Sequence, residues 1–197
     1  MLPVLISDKR FSLEQLKETK WNQIQLDLSG ATCNKDARFL VAMDSASLFV
    51  LASAKLPTNC DNSLSAGTFK EELWKLDVAE LFIAEDKSDR YQEFNLSPTG
   101  AWWSMGFEEY RSEASTFSPP DNIECSAWRN GERWYASIVI PRDNLWIDLS
   151  LTEHFRANVC FILGKKKRSF LSWERLVSKS PDFHLTEQFE AIRAVKI

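Results

Sequence analysis

Two glutamates stand where a carboxylate costs free energy. Glu80 lies in the apolar stretch Leu73 to Ala84. Strand periodicity puts it on one face with Leu76, Val78 and Phe82, with Asp77 opposite as a structural hydrogen-bonder. A carboxylate on such a face needs a partner when buried. Arg156 could supply one as a structural ion pair, or a ligand could supply hydrogen-bond donors. On the next apolar stretch Tyr91, Glu93 and Asn95 share one face, while Phe94 and Leu96 share the other. Arg156 and Asn158 oppose Phe155, Ala157, Val159 and Phe161 in the same way. Polar residues converging from several strands suit hydroxyl recognition, and they equally fit an ordinary solvated sheet face. Glu80 and Glu93 on neighbouring strands would also be the pair a glycoside hydrolase needs, if held at a defined separation.

Other chemistries have little to stand on. There is no G-x-S-x-G, no H-E-x-x-H, no Walker loop and no dinucleotide fingerprint. With 6 Gly in 197 residues, phosphate-cradling loops are not expected. His184 has only His154 for company, so a histidine-rich metal site is not available. His184 reads as a hydrogen-bonder that locks the C-terminal segment. The four cysteines form no C-x-x-C, and free thiols in a reducing cytoplasm are the expectation. A net charge of −4 lacks the basic footprint of a nucleic-acid binder. Lys165-Lys166-Lys167-Arg168 is short and reads as a solvated turn. Met1 to Asp8 lacks the basic region of a signal peptide, and no segment approaches the ~20 apolar residues of a membrane span. These observations predict a cytoplasmic chain without nucleic-acid or membrane partners. The 8 Trp and 13 Phe against 3 Tyr are unusual. Several must be core, but a Trp excess also suits stacking of flat rings on a ligand.

The elements that must position these residues are mostly short strands. Gln23 to Leu28 alternates; Arg38 to Met43 and Ser47 to Ala54 flank an Asp44-Ser45-Ala46 turn. Leu73 to Ala84, Arg90 to Leu96 and Ala101 to Tyr110 follow, separated by polar turns, the second being Ser97-Pro98-Thr99-Gly100. Ile123 to Ala127 and Arg133 to Ile140 flank Asn130-Gly131, a pair that accepts the positive φ of a type I′ turn. Arg156 to Ile162 is the last strand. Ser12 and Gln15 form a capping-box pattern at a short helical turn, and Asp143 to Leu145 reads as another turn. Many short strands with few helix signals predict a sandwich or barrel.

One stretch carries a family resemblance. Leu73-Trp74-Lys75-Leu76-Asp77-Val78-Ala79-Glu80-Leu81-Phe82-Ile83 resembles a signature strand of family-9 carbohydrate-binding modules and their DOMON-like relatives. Tyr91 to Trp103 resembles the family's Y-x-E-F-N-x-S-P-x-G-x-W segment, and Phe107 with Tyr110-Arg111 extends it. Trp134 to Pro141 with Leu145, Arg156-Ala157-Asn158, Trp173, and Pro181-Asp182-Phe183-His184 with Phe189 match later elements in order. Thr186 and Glu190 stand where the family often has Pro and Gly, and Phe170 where the modules have a sugar-contacting amide. The resemblance implies a two-sheet, jelly-roll-like sandwich. It implies that Trp74 and Trp173 clamp a pyranose while Glu80 accepts from sugar hydroxyls. It also implies an alternative: a haem-binding electron-transfer domain using His184 with Met43 or Met105. The expectation is one all-β domain over residues 1–197 with a few short helical turns. It is non-catalytic and cofactor-free, and binds a small polar ligand, a saccharide, through Trp74, Glu80, Glu93, Asn95, Arg156, Asn158 and Trp173.

Overall fold

The computed structural model describes residues 1–28, 30–147, 149 and 155–197. His154 falls outside them. The strands are β1 (Pro3–Ile6), β2 (Asn22–Leu26), β3 (Thr32–Met43), β4 (Ser47–Lys55), β5 (Val78–Glu85), β6 (Tyr91–Leu96) and β7 (Trp102–Glu109). They continue as β8 (Ser112–Glu113), β9 (Glu124–Asn130), β10 (Arg133–Pro141), β11 (Phe155–Leu163), β12 (Ser169–Ser172) and β13 (Arg193–Lys196). One sheet runs β13-β1-β3-β4-β10-β9, with β2 also paired to β3. The other runs β12-β11-β5-β6-β7-β8. The molecule is a β-sandwich, nearly all-β.

Alternation along the strands builds the layer between the sheets. Phe39, Val41, Leu48 and Val50 of the first sheet meet Leu81, Ile83, Phe94 and Phe161 of the second, all buried. Full burial of one such side chain stabilises by about 1.5–3 kcal/mol. The opposite faces are covered as well. A short helix, α1 (Leu13–Glu18), sets Leu16 against Leu40, Ala42, Phe49 and Leu51 outside the first sheet. Its capping box is complete: Gln15 N–H donates to Ser12 Oγ at 3.2 Å, and Ser12 N–H to Gln15 Oε1 at 3.1 Å. Outside the second sheet, Leu176, Phe183 and Phe189 from the C-terminal segment lie on Phe82, Tyr91 and Phe107.

This last cover corrects the solvated-face expectation. Tyr91 and Asn95 are fully buried and Glu93 is 4% exposed. Two further expectations change. Leu73 to Ala84 is not one strand, because Leu73–Lys75 is a 3₁₀ turn and β5 begins at Val78. Asp77 explains the break: its carboxylate accepts from Asn59 N–H at 2.9 Å and Gly164 N–H at 2.6 Å, which anchors the chain just before the strand. The β9–β10 hairpin forms, but Asn130 pairs with Arg133, so the loop is Gly131-Glu132. Positive φ falls on Gly131 alone, which matches the II′ pattern and not I′. The Asp44 turn holds as read. Its Oδ1 accepts from the N–H groups of Ala46 and Ser47.

Candidate functional site

β5, β6, β7 and β11 pair so that their outward residues form rows. One row is Cys160, Glu80, Asn95 and Trp103; the next is Asn158, Phe82, Glu93 and Met105. The sequence-derived polar residues therefore do share a face, the outer face of the second sheet. The C-terminal segment covers part of it and leaves a cleft of about 680 Å³ beside the covered part. Trp74, Glu80 and Glu93 line that cleft, together with Trp103, Arg111, Arg168, Phe170 and His184.

The 3₁₀ turn decides where Trp74 points. It leaves the indole at the cleft lip, 46% exposed, on a turn anchored from behind. Arg168 Nη2 donates to the Trp74 carbonyl and, at 3.4 Å, to the Leu76 carbonyl. Arg168 is thus one member of the basic cluster that is not merely solvated. Trp102 and Trp103 are split by the two-residue period of β7: Trp102 enters the core and Trp103 enters the cleft.

Glu80 is 3% exposed, and among the described residues no hydrogen bond reaches its carboxyl. Burial first, and the neighbouring Glu93 charge second, push its titration well above the ordinary carboxylate range. Burial also raises Glu93, to about 7, against the opposing pull of Asn95 and Arg111. Neither polar side-chain atom of Asn95 has a partner of ordinary hydrogen-bond geometry, although its amide lies close enough to favour the ionised Glu93.

Behind Glu93 runs a relay of fixed dipoles. Arg111 N–H donates to Tyr91 Oη at 3.0 Å, and Tyr91 Oη contacts His184 Nδ1 at 2.8 Å. His184 Nε2 faces Glu93 Oε2 at 3.7 Å. Burial, with Arg111 beside it, holds His184 down to about 4, so the ring is neutral and this contact is not an ion pair. Tyr91 Oη already accepts from Arg111 N–H, so its own proton is directed to His184 Nδ1, and the neutral ring then carries its proton on Nε2. Asp182 fixes the outer edge. It accepts from His184 N–H at 3.0 Å, Tyr110 Oη at 2.6 Å and Arg111 Nη2 at 2.9 Å. Arg111 has φ +54°, a left-handed backbone that bulky residues avoid, and its side chain and amide are both held by this network.

Arg156, Asn158 and Trp173 do not line the cleft. Among the described residues Arg156 pairs with no glutamate. Its guanidinium donates to the carbonyls of Thr186, Glu85 and Ser88 at 2.8–3.0 Å, which fastens the C-terminal segment to the sheet. Asn158 donates to Ser172 Oγ at 2.8 Å and accepts from Glu174 N–H at 3.0 Å. Trp173 does not oppose Trp74. It packs edge-on against Phe39 with ring centroids 5.3 Å apart, and its Nε1–H donates to the Met1 carbonyl at 3.0 Å. Trp103, Arg111 and Arg168 were missed as site residues, though alternation from Trp102 was enough to send Trp103 outward.

Of the residues named for a haem, Met43 is buried between the sheets, Met105 and His184 both line the cleft, and His184 Nδ1 is engaged by Tyr91 Oη. Among the described residues no three His, Cys, Asp or Glu side chains group as metal ligands. All four cysteines are unbridged. No described helix is long and apolar enough to cross a membrane.

No family model matches the sequence, and no curated protein matches it. Solved structures do match its fold. A candidate carbohydrate-binding protein from Bacteroides uniformis superposes with a TM-score of 0.75 at 15% identity, covering 98% of this chain and 99% of that one. A family-9 carbohydrate-binding module from Caldicellulosiruptor kristjanssonii, in complexes with cellotriose and with glucose, gives 0.62 at 11% identity. These cover 99% of this chain and 94% and 96% of those. The fold is that of these carbohydrate-binding modules over the whole length of the chain.

Proposed function

We propose that this chain is a non-catalytic saccharide-binding domain whose ligand enters the cleft on the outer face of the second sheet. The observation that carries the reading is the pairing of chemistries there. Two buried carboxyls, Glu80 and Glu93, open onto a cleft with Trp74 and Trp103 in its lining. Indole faces match the apolar face of a pyranose, and carboxylates accept from hydroxyls that water would otherwise satisfy. The volume lies within the range of small-molecule sites. The fold neighbours bound to glucose and cellotriose support the choice of ligand class. The clamp differs from the one inferred from sequence, with Trp103 in place of Trp173.

Calorimetric titration with glucose, cellotriose and a panel of mono- and disaccharides tests the reading. Saturable heat is expected, lost in both Trp74→Ala and Trp103→Ala but kept in Trp128→Ala, because the Trp128 ring stacks on Tyr135 at the β9 edge of the other sheet. Silence from every sugar would remove the proposal.

A further inference from the structure

Within the saccharide reading, on which this inference rests, we propose that the preferred ligand is an amino sugar whose ammonium group docks between Glu80 and Glu93.

Three observations converge. First, the pair is short of donors, with only the Asn95 amide and the facing His184 ring near Glu93. Glu80 is 97% buried and, among the described residues, receives no hydrogen bond. For Glu93 the facing imidazole nitrogen stands at 3.7 Å, beyond hydrogen-bond distance. Second, the two are close. Glu80 pairs directly with Asn95, and Glu93 is two residues away along the same strand face, so they are diagonal neighbours. An ammonium, with three donors and a full charge, can serve both carboxylates at once. Third, the surrounding charge is negative. Glu72 is matched by Lys75 at 2.6 Å and Asp182 by Arg111 at 2.9 Å. Glu71, Glu80, Glu93 and Glu113 then outnumber Arg168, whose Nη2 is engaged by backbone carbonyls.

Arg168 and Arg111 act on the pair only through space, and among the described residues no cationic side chain hydrogen-bonds to it. His184 is neutral, the Tyr91 hydroxyl is committed to His184 and Arg111, and the Cys160 thiol beside Glu80 is held protonated by burial. Without ligand, two buried carboxyls this close retain a proton near neutral pH. Ammonium binding lets both ionise, and the displaced proton passes to the buffer. Binding of an amino sugar is therefore coupled to proton release, whereas binding of a neutral sugar is not.

The experiment is calorimetry on the intact chain at pH 7 with glucosamine, glucose, N-acetylglucosamine and glucuronate, each in two buffers of different ionisation enthalpy. Glucosamine is expected to bind about tenfold or more tightly than glucose, the step from a neutral to a charge-assisted hydrogen bond. N-acetylglucosamine should lose that advantage and glucuronate should bind weakest. Only the glucosamine heat should vary with buffer in the sense of proton release. Glu80→Gln and, separately, Glu93→Gln should each bring the glucosamine-to-glucose ratio towards one. Glucose binding as tightly as glucosamine would overturn the ammonium site and leave the saccharide reading intact. A glucosamine preference that survives both substitutions would overturn its placement. No binding by any of the four would overturn both.

Discussion

Glu93→Gln should make the protein more stable at alkaline pH, and the gain should vanish in acid. Glu93 titrates at about 7 in the folded chain against an ordinary 4.5. A raised carboxyl means that the folded state holds its proton more tightly than the unfolded state does. Between 4.5 and 7 the folded state thus carries more protons, and stability falls as pH rises through that window. At about 1.4 kcal/mol per pH unit, the loss between pH 4 and pH 8 is about 3 kcal/mol. Glutamine has no proton to lose and escapes it. His184 works in the opposite sense. Its folded value of about 4 lies below the ordinary 6.5, so its contribution is full above 6.5 and is lost as pH falls through 4. That contribution is common to both proteins and cancels when they are compared. Urea melts of both proteins at pH 4 and pH 8, followed by tryptophan fluorescence, should coincide in acid. They should separate by about 3 kcal/mol at pH 8, which is roughly 6–12 °C in Tm for a chain of this size. Parallel pH profiles would show that Glu93 is not a buried, partner-poor carboxyl, and the argument for the cleft would go with it.

Trp74→Ala removes a half-exposed ring and should change unfolding free energy by no more than about 0.5 kcal/mol. It should weaken saccharide binding at least ~10-fold, so a large stability loss would show that the ring is structural. Arg156→Met leaves three carbonyls without their donor and should cost about 2–4 kcal/mol in chemical denaturation. A neutral result would place the anchoring of the C-terminal segment elsewhere. Nitrogen-detected NMR should find His184 neutral at pH 6 with its proton on Nε2. A Nδ1–H tautomer or a titration near 6.5 would contradict the relay from Tyr91.

The strand periods made most of the sandwich legible. β4, β6, β10 and β11 lie within a residue or so of their apolar runs, and the face assignments on β6 and β11 hold. β1, β8, β12 and β13 are two to four residues long, too short for a period to register, and they exist through pairing. The site was half legible. Alternation brought Glu80, Glu93, Asn95 and Asn158 to one face, but it carries nothing about what covers that face. The cover comes from Phe183, His184 and Phe189, distant in sequence, and it engages Arg156 with the Thr186 carbonyl, while Asn158 accepts from Glu174 N–H. Trp173 went astray for a related reason. It lies just beyond β12, and the chain there turns inward to Phe39 of the first sheet and not towards the cleft.

The cover has a consequence for how the chain is made. Phe82, Tyr91 and Phe107 emerge during synthesis well before Phe183 and Phe189, and β1 has no β13 beside it until residues 193–196 arrive. A nascent chain whose first twelve strands are already paired would therefore still display an aromatic sheet face and an unpaired edge. Both are surfaces on which partly folded chains aggregate. Growth conditions that slow synthesis should lengthen that interval, and holdase chaperones that bind exposed aromatic surface should raise soluble yield more than any change made to the finished core.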